Sequence, residues 1–344
     1  MRTEAGSTTR ARTIISRRCA PSSPAPTDTY GHVGANLVRA LLDRGDEVRA
    51  ADKRQTEALG GLDVEHVPVD VLEPASLEKA FAGADTVFHL AAVISIIGDP
   101  TGIVRRVNVE GPRNASQAAL ACGVSRFVHC SSAHAFDLER CGPELTEAGP
   151  RAMGDHAPAY DRSKNEGENE VRATIAKGLD AVIVNPTAII GPHDYGPSRM
   201  GELLLQYRAR KIPVNIGGAF DFVDVRDLVA GMIAAEQSGR TGENYLMSGH
   251  RHSPDELAQL AAQVSGVKAP RLSAPLSLLS GLAPLVLKLT PSDKIPLVTP
   301  DSLHALQYAP TVCHYKASKE LGYLARPLIE TVRDTYAWFD ARSA

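Results

Sequence analysis

Gly31-His32-Val33-Gly34-Ala35-Asn36-Leu37-Val38-Arg39-Ala40-Leu41-Leu42, running on through Asp43-Arg44-Gly45-Asp46 to Glu47-Val48-Arg49-Ala50-Ala51, decides the fold of this chain. Val33, Leu37, Val38, Leu41 and Leu42 recur at the spacing that gathers apolar groups on one helical face. Glu47 to Ala51 then reads as a short strand. The same alternation continues downstream. Short apolar runs at Val64 to Val69, Thr86 to Leu90, Arg126 to Cys130 and Ala181 to Asn185 are separated by helical patterns near 76–82, 101–122 and 160–177. Strands that alternate with helices require right-handed crossovers, which predicts an α/β protein with a doubly wound parallel sheet covered on both faces.

After Gly191 the rhythm loosens into Gly- and Pro-rich loops, with helices expected over 198–210 and 224–238 and a helical, proline-broken region after 250. Ligands of open α/β sheets bind beyond the carboxyl ends of the strands, so segments lying over that edge would build a pocket.

With 344 residues, 43% hydrophobic and 22% charged, the chain can bury a sizeable core as one large domain with an appendage or as two domains. A net charge of -3, with no local basic patch, gives no general attraction to phosphate backbones, so the expected partner is a small molecule and not nucleic acid. Five cysteines, Cys19, Cys122, Cys130, Cys141 and Cys313, form no CxxC pair, which argues against a disulfide framework and for a reducing, cytoplasmic setting. His89, His129 and His134 have no second His or Cys at ligand spacing, so structural roles are expected and no metal. Leu272 to Leu287 is uncharged but broken by Pro275 and Pro284, and it falls short of the roughly 20 residues a membrane span needs. It reads as packing or a lid. Residues 1–26 differ from the rest, with Arg2, Arg10, Arg12, Arg17 and Arg18 against Glu4 alone. That composition fits a transit peptide, a disordered extension or a stretch read from a shifted frame.

Tyr160-Asp161-Arg162-Ser163-Lys164 carries the strongest chemical signal. On a helix over 160–177, Tyr160 and Lys164 share one face. A free phenol titrates at about 10, and an ammonium beside it favours the phenolate, so the pair can move a proton to or from a substrate oxygen. Ser131 and Ser132 follow the apolar strand Arg126 to Cys130, which places a hydroxyl at a carboxyl edge. Taken singly, the pair also describes a solvated surface helix, and the serine an ordinary turn.

In this order and spacing the residues resemble the extended branch of the short-chain dehydrogenase/reductase superfamily, the NAD-dependent epimerase/dehydratase family. The likeness covers nearly the whole chain from about residue 27. Gly31-His32-Val33-Gly34 looks like the second half of the family's TGxxGxxG turn, Asp52 like the acidic residue after the second strand, and Asp70-Val71 like its adenine-contacting pair. His89-Leu90-Ala91-Ala92 is similar to the stretch lining the cofactor after the fourth strand, and Asn108-Val109-Glu110-Gly111 to the NVxG helix start. Ser132, Tyr160 and Lys164 fall on the catalytic positions, and Asn185-Pro186-Thr187 through Gly191-Pro192 on the loop beside the nicotinamide.

The resemblance implies a Rossmann fold over residues 27–191 and 221–250, with a smaller, mainly helical substrate-binding cap from 192–220 and 251–344. It implies cofactor contacts from Gly31, His32, Val33, Gly34, Asp52, Lys53, Asp70, Val71, Leu90, Ala91, Ala92, Asn108 and Pro186. Asp52 would accept from the adenosine ribose hydroxyls and favour NAD, while Lys53 and Arg54 leave NADP open. Helices 101–122 and 160–177 resemble those that pair in family dimers, so a homodimer is expected.

One departure stands out. Asp28, in Thr27-Asp28-Thr29-Tyr30, replaces the motif's first glycine, and Thr13-Ile14-Ile15 lies too early to be the strand leading into it. Residues 1–26 are therefore expected to be an aberrant or disordered extension, and a carboxylate near the diphosphate puts cofactor affinity in doubt. Two chemistries share such a centre: simple hydride exchange with an alcohol or ketone, and nucleotide-sugar epimerisation or dehydration. Phe220, opening Phe220-Asp221-Phe222-Val223-Asp224, stands where many nucleotide-sugar enzymes have arginine, and the Asn185-Pro186-Thr187 stretch looks more like reductases resembling dihydroflavonol reductase and 3β-hydroxysteroid dehydrogenase. An apolar alcohol or ketone is the first expectation. Arg199 and Arg208 are candidate diphosphate clamps for the second reading, and a cofactor-sensing or inactive binding protein is a third.

Overall fold

Among the described residues, seven parallel strands lie in the order Asn244–Met247, Ala181–Pro186, Arg126–Cys130, Thr86–His89, Ala11–Ile15, Glu47–Asp52 and Glu65–Pro68. The computed structural model describes residues 11–15, 31–53, 57–278 and 299–343. From the central strand Ala11–Ile15 the chain builds outward on one side, then crosses back to Thr86–His89 on the other. The order therefore reverses between these two strands, which opens a crevice at their carboxyl ends.

Alternating side chains dress the two faces. Phe88, Val128, Val182 and Val184 meet Leu37, Val38 and Leu41 of helix His32–Asp43 and Leu228 and Met232 of helix Val225–Ser238. Their sequence neighbours Val87, Phe127 and Ala181 face the opposite way, onto Leu77 and Phe81 of Pro74–Phe81, Ala115 and Ala119 of Gly111–Ala121, and Val171 of Ala159–Ile175. Burial on both faces explains why these strands read as continuous apolar runs. Each buried Leu, Val or Phe stabilises the fold by roughly 1.5–3 kcal/mol relative to exposure.

The expectation for the amino terminus needs correction. Ala11–Ile15, containing Thr13-Ile14-Ile15, is the central strand, in parallel register with Glu47–Ala51 on one side and Thr86–His89 on the other. β-branched Thr13, Ile14 and Ile15 suit a central strand. The family motif has a short strand-to-helix turn, whereas residues 16–31 separate this strand from the helix at His32. Thr27 to Tyr30 with Asp28, Arg54, and Leu279 to Leu287 lie outside the described residues.

The helical pattern over 101–122 resolves into a turn Ile103–Arg105, a π segment Arg106–Glu110 and the helix Gly111–Ala121. Over the carboxyl edge, Ala188–Ile190, Phe220–Asp224 and His250–His252 form a small sheet. Leu204, Leu257, Val332 and Tyr336 join helices Arg199–Arg208, Pro254–Ser265 and Leu328–Ser343 into a separate core there. Among the described residues no helix is long and apolar enough to cross a membrane.

Candidate active site

The strand Arg126–Cys130 delivers Ser131 and Ser132 to the carboxyl edge, where the Ser131 N–H donates to the Val184 carbonyl at 2.8 Å. Ser132 is extended, and its hydroxyl caps the turn Ala133–Ala135 by accepting the His134 N–H at 3.2 Å. Helix Ala159–Ile175 starts after Pro158, whose fixed φ suits a helix entry. Tyr160, in its first turn, is half-buried, and the Ser132 side chain lies near enough to favour its phenolate. Lys164, one turn on and 4% exposed, donates from Nζ to the Cys130 carbonyl at 3.3 Å. Ser132, Tyr160 and Lys164 are thus gathered at the end of one strand.

The electrostatics differ from the simple expectation. Burial raises the Tyr160 phenol well above its ordinary value, the Ser132 hydrogen bond opposes this only in part, and Asp161 and Cys130 add to the rise. Burial likewise lowers Lys164, with Cys130 and Glu168 acting the other way. Desolvation of both groups outweighs the mutual benefit of phenolate and ammonium. Tyr160 is therefore held as the phenol, the form that donates a proton.

A close backbone approach fixes the tyrosine helix against the π segment: a Cβ on Gly167 would lie 2.2 Å from the Asn108 carbonyl oxygen. The Asn108 side chain accepts the Val93 N–H at 2.8 Å and donates to the Val93 carbonyl and the Ser163 hydroxyl, both at 2.9 Å. It ties the loop after Thr86–His89 to the tyrosine helix. Behind Ser132, the Asn185 amide donates to the Ser132 carbonyl at 2.9 Å and to Glu168 Oε1 at 2.7 Å. Glu168 Oε2 accepts from Arg151 and, at 2.9 Å, from Asn244. Glu168, Asn244 and Arg151 were not singled out in the sequence. Glu168 follows Lys164 by four residues on the same helix, and that spacing was the available signal.

On the cofactor side, Gly31 takes φ 92° at the start of helix His32–Asp43, a left-handed conformation that glycine adopts without a steric cost. Among the described residues no side chain caps this helix, and its first turn holds no acidic residue, so its amino terminus fits an anionic diphosphate. Gly34 lies beside Leu90 of the loop Leu90-Ala91-Ala92, 3.7 Å from where its Cβ would stand. Val33 is half-buried. The buried His32 ring meets the carbonyls of Gly191 and Pro192, each 3.1 Å from Nε2, and the Asn36 amide donates to Pro192 at 3.0 Å. Asp52 ends its strand, exposed Lys53 pairs with Asp70, and Asp70 Oδ1 accepts the Leu72 N–H at 3.0 Å. Val71 is buried against Gly111, and Pro186 ends the strand beside the crevice. Donors at a helix start and a carboxylate one strand away match the two ends of an adenine dinucleotide.

His89 and His129 face each other across adjacent strands with Nδ1 atoms 3.2 Å apart. Burial, helped by the nearby Lys164 charge, drives His89 down to about 3 and lowers His129, so both are neutral imidazoles. Among the described residues no group of three His, Cys, Asp or Glu side chains could hold a metal ion.

A phenol, a hydroxyl and an ammonium gathered at the carboxyl end of a parallel strand are the arrangement expected of a nicotinamide-dependent enzyme of the Rossmann class. The chain belongs to the NAD dependent epimerase/dehydratase family, whose model matches residues 29–248, and NAD is its cofactor. It is 35% identical over 324 residues to "Sterol demethylase protein B" of Methylococcus capsulatus, covering 92% of this chain and 98% of that one. It is 28% identical over 331 residues to "3-beta-hydroxysteroid dehydrogenase" of Mycolicibacterium neoaurum, covering 89% and 87%. The crystal structure of gox2253 superposes with a TM-score of 0.80 at 29% identity, covering 96% of this chain and 98% of that chain. The protein is an NAD-dependent oxidoreductase.

Proposed function

We propose that this enzyme interconverts an alcohol and a ketone on a small apolar substrate, with Tyr160 moving the proton at the substrate oxygen. The nicotinamide, when bound, supplies or accepts the hydride. The convergence of Ser132, Tyr160 and Lys164 at a strand's carboxyl end, with Lys164 Nζ on the Cys130 carbonyl, carries the reading. Ser132 holds the substrate oxygen beside the phenol, and Lys164, anchored on the Cys130 carbonyl, stabilises negative charge left when the phenol gives up its proton. Gly31, His32, Val33 and Gly34 would hold the diphosphate, Asp52 the ribose, Asp70 and Val71 the adenine, and Leu90, Ala91, Ala92, Asn108 and Pro186 the approach to the nicotinamide. Pairing of Lys53 with Asp70 diverts that cation from a 2′-phosphate, which favours NAD over NADP.

Phe220 supports an apolar substrate. It packs edge-on to Phe222, ring centroids 6.0 Å apart, and against Leu303 and Leu306 of helix Pro300–Gln307. The names of the relatives, a sterol demethylase and a hydroxysteroid dehydrogenase, point the same way. Arg208 is engaged by Asp340 at 2.5 Å and lies over the Tyr336 ring. Arg199 favours the second reading, a nucleotide-sugar epimerase or dehydratase, because among the described residues no carboxylate pairs with it. The cap is assigned to residues 192–220 and 251–344, and the protein to a cytoplasmic homodimer, which light scattering tests.

Turnover of alcohols and ketones with NAD and NADH, beside fluorescence titration with NADH, tests the proposal. Tyr160→Phe is expected to lower turnover by about 10²–10⁴ while NADH binding is retained. Near-normal turnover in that variant would end the reading, and NADH binding without turnover of any substrate would favour a sensor.

A further inference from the structure

Hydride exchange at a carbinol carbon needs one proton-handling group, and Tyr160 supplies it. A second stands beside it. The His134 ring meets the Tyr160 ring edge-on, with centroids 5.8 Å apart and planes at 61°. His134 Nδ1 lies 3.1 Å from Oδ1 of Asp161, whose side chain is 8% exposed against 29% for His134. A carboxylate only accepts, so Nδ1 carries the hydrogen and the basic lone pair of the neutral ring falls on Nε2. Among the described residues no hydrogen bond engages Nε2. The His134 backbone is fixed as well, because its N–H is spent on the Ser132 hydroxyl at 3.2 Å. A buried carboxylate that sets the tautomer and orientation of a histidine is how proteins prepare a general base.

We propose that His134, oriented by Asp161, is a second acid–base centre that removes and returns a proton on the carbon next to the carbonyl of the bound ketone. The site then catalyses keto–enol exchange in addition to hydride transfer. The inference rests on the oxidoreductase reading in one respect: the ketone is the one held by Tyr160 and Ser132. In the step, the α-C–H bond breaks and its proton passes to His134 Nε2. The electron pair forms the carbon–carbon double bond, and the carbonyl π pair moves to the oxygen, which Tyr160 and Ser132 stabilise. Reversal delivers a proton from the imidazolium back to carbon. Carbon ends at the oxidation level at which it began, so no oxidant or reductant is consumed.

Two further observations agree. Burial opposes the imidazolium, but the charge and hydrogen bond of Asp161 outweigh it and hold His134 above the ordinary imidazole value, so the ring can take up the proton it removes. The cap helix Pro300–Gln307 brings Asp301, bonded through Oδ2 to the Gly98 N–H at 3.1 Å, within electrostatic reach of Asp161. The pair therefore lies near the junction of the cap helix and the sheet edge.

The test uses holoenzyme in heavy water with a saturated 3-ketosteroid as the probe. With NAD present, deuterium uptake at the α-carbons is followed by mass spectrometry. With NADH, reduction of the same probe is followed in parallel. Wild type is expected to exchange about 100-fold faster than buffer, His134→Gln to lower the ratio of exchange to reduction by about 100-fold, and Asp161→Asn by about 10-fold. NADH titration shows that each variant is folded. Reduction by wild type without exchange overturns the inference alone, as does undiminished exchange in His134→Gln. Exchange without reduction overturns the oxidoreductase reading alone, and absence of both signals overturns the two together.

Discussion

Asn185 donates to Glu168 across 2.7 Å, and this bond closes a buried polar network that also grips the Ser132 carbonyl and Asn244. Glu168 is fully buried and its charge is matched by Arg151. A paired buried carboxylate is costly to unpair, because removing it strands the partner's charge. Glu168→Ala is expected to cost about 3–5 kcal/mol, read by urea denaturation, with a lower cost in Glu168→Gln, which keeps an acceptor for Asn185. Equal stability of Glu168→Ala and wild type would show that the network is slack.

Gly167 argues through space. Its hydrogen faces the Asn108 carbonyl, and a methyl there would stand 2.2 Å from a backbone oxygen of the π segment. Neither helix can yield cheaply, so Gly167→Ala should destabilise by about 1–3 kcal/mol or more, against the usual gain from a helical Gly→Ala change. Thermal melts beside an exposed helical Gly→Ala control would decide it.

Much of this was legible in the sequence, because the informative features were local. Apolar runs such as Thr86–His89 and Arg126–Cys130 are buried on both faces and stand out from amphipathic helices. Tyr160 and Lys164 needed only helical spacing to be placed together. What escaped depends on long-range contact. The central strand Ala11–Ile15 lies further from its helix than the short turn of the motif, and its neighbours in the sheet, Glu47–Asp52 and Thr86–His89, are distant in sequence. Glu168 looked like a surface helix position until Arg151, Asn185 and Asn244 converged on it from three other segments. The downward pull expected on the Tyr160 phenol failed because burial, invisible in a motif, outweighs it.

Ser132 bears on pH dependence. Its hydrogen bond opposes the rise of the Tyr160 phenol, which means that it favours the phenolate. Ser132→Ala removes that preference, so the Tyr160 value moves further up. Alcohol oxidation, which needs the phenolate as base, should shift its rising limb to higher pH. Ketone reduction, which needs the phenol, should persist to higher pH. Profiles of kcat/KM in both directions would show the two limbs moving together, and a shift to lower pH would contradict the assigned bond.

The acid limit of the fold is expected to lie with buried His89 and His129. Burial drives His89 from 6.5 to about 3, with the Lys164 charge adding to the effect, and lowers His129 in the same direction. A base with a depressed folded value binds its proton first in the unfolded chain, so stability is complete above about 6.5 and falls as pH drops towards the folded value. Each imidazole should contribute a slope of about 1.4 kcal/mol per pH unit below that point. Urea denaturation at pH 7, 6 and 5 should show the loss, and His89→Phe, which has nothing to protonate there, should have a shallower slope. A His89→Phe slope as steep as that of wild type would mean that other groups govern acid unfolding.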